Sequence, residues 1–344
     1  MDARTADLRS WLTGQFLALC ACDSTSGQED AVLPPLRSLL SELGATVLEQ
    51  PVAAGRTNVL AMWGRPTVLF STHLDTVPPF LPPRLEGEAL HGRGACDAKG
   101  QIVAQLGAIR TLLAQGRTGL AWLGVVGEET DSAGARAALD LADRLQGLRV
   151  LVNGEPTELK LATGQRGVQH LHLRCEGRAA HSGSPERGHN ATWPLLDWLQ
   201  RLRERPMAED PDLGPEVWNL GLLRAGEALN TVPAAAEADL LARVVPGSGF
   251  LAEVRQLAPP EGRVELRLDE PPDRYPSLPG FEAAAMPFGS DAPALRALVP
   301  DRTVVLAGPG RIAVAHTLEE HILLSDLEAG VALNLRLARH FLDS

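Results

Sequence analysis

The spacing of apolar positions divides the chain into two textures. Residues 5–19 and 28–43 carry apolar side chains at helical intervals, and Ser24-Thr25-Ser26-Gly27 between them is a turn with a capping residue at hand. Two amphipathic helices are therefore predicted to open the chain. Short β-like segments follow at 45–49, 58–63 and 67–71, then a proline-rich loop over 78–83. The pattern predicts a helix over 98–114, an apolar strand over 120–126, a helix over 132–145 and a strand over 150–152 that ends in Asn153-Gly154-Glu155-Pro156. Strand and helix in alternation point to a largely parallel sheet with helices on its faces.

From about Gly164 the texture changes. A strand is predicted over 168–175, a helix over 190–205, strands over 217–223 and 237–245, a helix over 248–257 and a strand over 263–268, the order of a ferredoxin-like α+β module. After a loop at 271–279 the first texture resumes, with a strand at 303–306, Gly308-Pro309-Gly310 and a last helix over 325–341. The predicted fold is thus α/β: a mixed, mostly parallel sheet flanked by helices, built from residues 1–164 and 277–344, with an α+β domain inserted at 165–276.

Composition narrows the class without naming it. A length of 344 residues gives room for two domains at roughly 150 residues each. The 44% hydrophobic and 22% charged content is that of an ordinary soluble protein. A formal net charge of -11 argues against a nucleic-acid partner, because a phosphate-binding face makes a domain basic. No apolar run is long enough for a membrane span, and the amino-terminal MDARTADLRSW lacks the apolar core of a signal peptide, so a cytoplasmic location is expected. Cys20, Cys22, Cys96 and Cys175 show neither CxxC spacing nor a disulfide framework and are read as reduced thiols.

The chemistry collects where predicted strands end. His73 and Asp75 follow the 67–71 strand two residues apart, which on an extended backbone points them the same way. Asp97 lies between a glycine-rich turn and a predicted helix; Glu128-Glu129 and Glu155 follow further strands, and His316 follows the strand at 303–306 and its glycine-rich loop. A lone acid at a loop is usually a cap or a solvated charge, but several at equivalent chain positions form a pattern. Histidine and carboxylate without cysteine is the ligand set of a hydrolytic zinc site, and these groups are too many for one catalytic zinc that keeps an open position. Two metals about 3.5–4 Å apart that share a bridging carboxylate would use them all. Adjacent side chains at a strand end diverge, so one of Glu128 and Glu129 could ligate while the other serves as general base. His91, His170, His172, His189, His321 and His340 read as surface or satisfied core histidines; His170-x-His172 has ligand-like spacing without an evident carboxylate partner. Gly92-Arg93-Gly94 and Gly308-Pro309-Gly310 complete no nucleotide-binding fingerprint.

In order from residue 24 to residue 322, the phrases THLDTVP, GRGACDAKG, VVGEETDSAGAR, NGEPT, GRAAHSGSPERGHNA, ALNTVP, GSDAP and GPGRIAVAHTLEEH resemble the signatures of the di-zinc amidohydrolases. That family includes acetylornithine deacetylase, succinyl-diaminopimelate desuccinylase, aminoacylases and carboxypeptidases. The resemblance implies a di-zinc exopeptidase-like catalytic domain and, in the insert, a lid and dimerisation domain that makes the protein a homodimer. It implies that Asp97 bridges two divalent ions, zinc with cobalt as the alternative, that His73 and Glu155 complete one site, and that Glu129 and His316 complete the other. Glu128 would be the general base, and Asp75 would hold the His73 ring through its other nitrogen. By the same resemblance His181 stabilises the tetrahedral oxyanion from the partner subunit, Asn230 and Arg243 hold a substrate carboxylate, and Arg166 and Ser290 make further substrate contacts. For Arg243 a salt bridge to a neighbouring acid is the rival reading.

The phrases stand nearest to acetylornithine deacetylase, which implies hydrolysis of N-acetyl-L-ornithine to ornithine and acetate, in arginine biosynthesis. Release of lysine or ornithine from an amino-group carrier protein and desuccinylation of N-succinyl-diaminopimelate are alternatives within the same chemistry. A non-catalytic relative that binds a ligand in its cleft is the alternative of a different class.

Overall fold

In the computed structural model, residues 3–299 and 303–343 are described; the predicted domain limits at residues 1 and 344 lie outside them. The chain forms two compact units. The first runs to Thr163 and takes in Tyr275–Ala284 and the segment from Ser290 onward; the second is Gly164–Arg274 with Ala285–Gly289. The second unit thus takes in a five-residue return of the chain at 285–289 beside its main stretch.

The first unit is built on a six-stranded sheet in the spatial order Thr46–Ala53, Arg56–Trp63, Leu120–Val125, Val68–His73, Val150–Asn153, Val304–Leu306. The last four run parallel to one another, and the first two form an antiparallel hairpin at one edge. The mostly parallel α/β sheet expected from the sequence is thus observed. Val68–His73 and Leu120–Val125 are buried along their whole length, as central strands covered on both faces must be. The hairpin strand extends to Ala53 through Pro51, which an edge strand tolerates because it need not donate to a second neighbour. Helix Lys99–Ala114 packs so closely on Leu324–Leu342 that a Cβ on Gly107 would lie 2.9 Å from Val331.

Two local features depart from expectation. Residues 132–145 are not one helix: Ala133–Ala137 is α-helical and Ala138–Arg144 is a 3₁₀ turn. The strands Arg84–Glu86, Ala89–His91 and His321–Leu323 form a small antiparallel sheet that the sequence did not announce, because three-residue strands are too short to show alternation.

The second unit is a four-stranded antiparallel sheet, ordered Val217–Ala225, Ala235–Val244, Gly167–Glu176, Gly262–Glu270. Helices Thr192–Glu204 and Phe250–Gln256 follow the first and third strands in chain order, giving the predicted ferredoxin-like topology. Its core of Leu171, Leu173, Leu240, Leu195 and Trp198 is its own, and the Trp198 indole donates to the Val254 carbonyl at 3.0 Å. All four cysteines are free thiols, and among the described residues no helix is long and apolar enough to cross a membrane.

Candidate active site

Three parallel strands of the first unit end side by side, and their carboxyl ends carry the acids and histidines. His73 terminates Val68–His73 and is in register with Val125 of the neighbouring strand, which runs into Gly127-Glu128-Glu129. On the other side Ser71 is paired with Asn153, two residues before Glu155. Asp97 precedes helix Lys99–Ala114 across a cis Asp97–Ala98 peptide. His316 sits in the loop after Val304–Leu306 with φ 63°, a left-handed conformation that a non-glycine residue rarely adopts.

These groups converge on the two oxygens of one carboxylate. His73 Nε2 lies 2.9 Å from Asp97 Oδ1, and His316 Nε2 lies 3.3 Å from Asp97 Oδ2 and 3.0 Å from Glu129 Oε1. Ligand atoms of His73, Asp97 and Glu129, one from each, lie within 4.8 Å of one another. Glu155 is buried, and its Oε1 has no hydrogen-bond partner among the described residues. A carboxylate oxygen left bare in the interior is costly unless a cation meets it. Three carboxylates, Asp97, Glu129 and the orphaned Glu155, with two imidazoles are the donor set that hard or borderline divalent cations take, so the residues fit a metal pair.

Charge crowding sets the protonation. Burial pushes Glu128 well above the ordinary glutamate range; the His73 charge opposes it, and the Glu155 and Glu129 charges add to it. Glu155 is driven up by burial and then by Asp97, and Glu129 by the same two causes. Asp97 goes the other way, because hydrogen bonds from His316 and His73 overcome its burial and hold it below the usual carboxylate range. His73 is raised despite burial by Asp75 and Asp97. His316, about half exposed at 48%, is lifted to about 10 by its bonds to Asp97 and Glu129. Without metal, protons do the screening that cations would otherwise do.

Asp75 does more than the sequence suggested. His73 Nδ1 is 3.0 Å from the Asp75 backbone carbonyl and 3.4 Å from its Oδ1, so the ring faces both. The carboxylate itself accepts backbone N–H groups of Gly127 and Glu128 on Oδ1 and of Glu129 on Oδ2, each at 3.1 Å, and the Ser26 hydroxyl at 2.8 Å. It fixes the strand-end turn from which Glu128 and Glu129 project.

The other candidates are distributed between the units. Ser290, in the first unit, is buried, and its hydroxyl accepts the Ala292 N–H at 3.3 Å. His181, Asn230, Arg243 and Arg166 belong to the second. His181 is exposed and its Nδ1 accepts the Gly183 N–H at 3.0 Å, which leaves Nε2 to carry the proton in the neutral ring. The Asn230 carbonyl accepts the Ser182 N–H at 3.0 Å, tying the two loops together. Arg243 forms no ion pair with an acid among the described residues. Arg166 donates to the Leu213 carbonyl at 2.9 Å, and burial and the Arg243 charge lower its affinity for a proton.

Two features went unseen in the sequence. His170 and His172 do have a carboxylate partner: both approach Asp239 Oδ1 on the adjacent strand, at 3.0 and 3.2 Å, a cross-strand contact that only the register reveals. Arg93 and Glu320 form a buried ion pair beside the cluster; a charged residue inside Gly-Arg-Gly and an acid four residues after His316 were the available signals.

Residues 69–340 match the profile described as Peptidase family M20/M25/M40. The chain is 33% identical over 329 residues to a peptidase M20 domain-containing protein of Schizosaccharomyces pombe, covering 91% of this chain and 80% of that protein. It is also 33% identical over 362 residues to a probable carboxypeptidase of Emericella nidulans, covering 91% and 85%. Among solved structures, an M20 family metallo-carboxypeptidase from Sulfolobus solfataricus matches with a TM-score of 0.77 over 99% of both chains at 18% identity. A dinuclear metal binding peptidase of the M20 family from Bacillus subtilis matches at 0.69 over 97% of both, at 17% identity. At those identities the structural likeness is one of fold.

Proposed function

The chain belongs to peptidase family M20/M25/M40 and is a metal-dependent amide hydrolase; we propose that it cleaves the linear amide bond of a small N-acyl amino acid or short peptide bearing a free α-carboxylate. The observation that carries this reading is the placement of His73 on one oxygen of Asp97 and of His316 with Glu129 on the other. Two divalent ions, zinc with cobalt as the alternative, would be held by His73, Asp97 and Glu155 and by Asp97, Glu129 and His316. When bound they supply Lewis acidity toward the substrate carbonyl and the attacking water.

The chain's own groups do the remaining work. Glu128, raised by burial and by neighbouring acids, accepts the proton of the attacking water and returns it to the leaving amine. His181, with its proton on Nε2, is the donor to the developing oxyanion, supplied across a homodimer as the sequence resemblance implies. The strand Val217–Ala225 supports such a dimer: it is an edge strand and exposes Leu220, Leu222 and Leu223. Arg243, which forms no ion pair with an acid among the described residues and has Arg166 near it, is suited to the substrate carboxylate. The motifs favour N-acetyl-L-ornithine within this class, and the names of the curated relatives favour peptides with a free carboxyl end.

Turnover of N-acetyl-L-ornithine, N-succinyl-diaminopimelate, γ-glutamyl-linked lysine and a dipeptide, each beside its carboxyl-amidated form, tests the proposal. Amidation is expected to lower kcat/KM about 10–100-fold on the preferred substrate, the worth of one charge-assisted contact. Glu128→Gln is expected to lower kcat roughly 10²–10⁴-fold with both metals retained. Near-normal turnover by that variant, or indifference to amidation, overturns the reading.

A further inference from the structure

Behind the ligand cluster, Arg93 Nη1 meets Glu320 Oε2 at 2.7 Å, with the two side chains 1% and 0% exposed. Glu320 Oε1 accepts the backbone N–H groups of Cys96 at 3.2 Å and of Asp97 at 3.3 Å. Arg93 donates from Nη1 to the Thr317 carbonyl at 3.0 Å and from Nε to the Pro79 carbonyl at 3.1 Å. One ion pair thus grips the backbone of Asp97 and the residue that follows His316. Its reach toward the other ligand set is indirect, through Pro79, six residues beyond His73 in the chain.

Stability alone is a poor account of this arrangement. Two charges taken out of water cost about as much as their attraction returns, and apolar residues of similar volume often do as well. Arg93 Nη2 is moreover buried with no partner among the described residues, so the guanidinium is not placed to satisfy itself fully. What the pair does secure is geometry: Asp97 starts a helix, His316 sits in a loop held at positive φ, and the pair bonds the main chain next to each, Glu320 at the Asp97 N–H and Arg93 at the Thr317 carbonyl, while Gln101 ties the same two segments further back, at the Cys96 and Pro309 carbonyls.

We propose that the Arg93–Glu320 pair is a positioning device that sets the separation of Asp97 and His316, so that these two ligands, with Glu129, close on one metal. The inference rests on the ligand assignment made above. Its consequence is asymmetric, because Asp97 serves both metals, whereas the pair's other anchor, Thr317, adjoins His316, a ligand of one alone.

Stepwise metal binding to the full-length apoprotein, followed by calorimetry and by the visible spectrum of the cobalt form, provides the test. Glu320→Gln keeps the shape and removes the charge. It is expected to weaken the second metal equivalent about 10–100-fold, the usual effect of removing an outer-sphere partner, and the first by less than about threefold. kcat should fall while KM stays within about twofold, and the spectrum of the second cobalt should change. Arg93→Met with Glu320→Met replaces the pair by apolar groups and should fold while keeping the second-site defect; if it does not fold, Glu320→Gln decides alone. Wild-type affinity for the second equivalent in either folded variant, or equal weakening of both equivalents, overturns the positioning role. A His316→Ala control that leaves both equivalents intact would instead remove the ligand assignment, which separates the two failures.

Discussion

Asp75 and Asp97 show how the same side chain takes opposite tasks at two points of one site. Asp97 offers one oxygen to His73 and the other to His316, whereas Asp75 spends its oxygens on three backbone amides and the Ser26 hydroxyl. Asp97→Ala should therefore abolish binding of both metals. Asp75→Ala should retain much of the metal but loosen the Glu128–Glu129 turn, lowering kcat roughly 10–100-fold. Metal content by atomic absorption beside steady-state kinetics distinguishes them, and equal metal loss in the two variants would contradict this division. The acids and histidines were legible because their residue types recur at predicted strand ends. The amides that Asp75 receives were not, since a sequence does not show which N–H groups a turn leaves exposed. For the same reason Asp239, which sits between His170 and His172, came into view only with the strand register.

At the scale of elements, the site depends on how tightly helix Lys99–Ala114 begins. A Cβ on Gly100 would lie 2.2 Å from the Ala95 carbonyl oxygen, a backbone atom that cannot swing aside. The Gly100 N–H bonds the Gly94 carbonyl at 3.2 Å, so the turn carrying Asp97 is wound directly against the helix. Gly100→Ala should destabilise the protein by about 1–3 kcal/mol through this forced overpacking, despite alanine's better helix propensity. Urea unfolding of the apoprotein measures it; a neutral or stabilising result would show that the turn can move. The long buried strands and helices were readable from periodicity, because burial imposes it over many residues. Arg84–Glu86, with all three residues exposed, has no buried face to impose any. The 3₁₀ turn at Ala138–Arg144 was hidden for another reason: its apolar spacing suits either helix type, and geometry alone separates them.

Across the whole molecule, the cluster couples stability to pH and metal. Glu128, Glu129 and Glu155 are raised from an ordinary 4.5 by burial and mutual charge, and His316 is raised from 6.5 to about 10. Each holds its proton more tightly folded than unfolded. The stability each contributes is full below its unfolded value and is lost as pH rises through its folded value. Asp97, held low, acts in the opposite sense, and its contribution is lost only below its ordinary 3.8. The metal-free protein should therefore lose Tm progressively from about pH 4.5 to about pH 10. The Tm gained on adding zinc should grow across the same range, because metal displaces those protons. Scanning calorimetry of apo and loaded protein checks both; an apo Tm that climbs with pH, or a metal gain that shrinks, would show that the cluster is not protonated as described.

The division of the chain into an insert that is one stretch save for Ala285–Gly289 and a split host also fixes an order of events at the ribosome. Gly164–Arg274 leaves as one uninterrupted stretch, whose four strands and two helices hold their own core. The host must wait: its strand Val304–Leu306 and helix Leu324–Leu342 are translated after the insert, yet one completes the sheet beside Val150–Asn153 and the other covers helix Lys99–Ala114. The second-born unit can thus be the first to finish folding, while His73, Asp97 and Glu129 stay without His316 until the insert has left the ribosome.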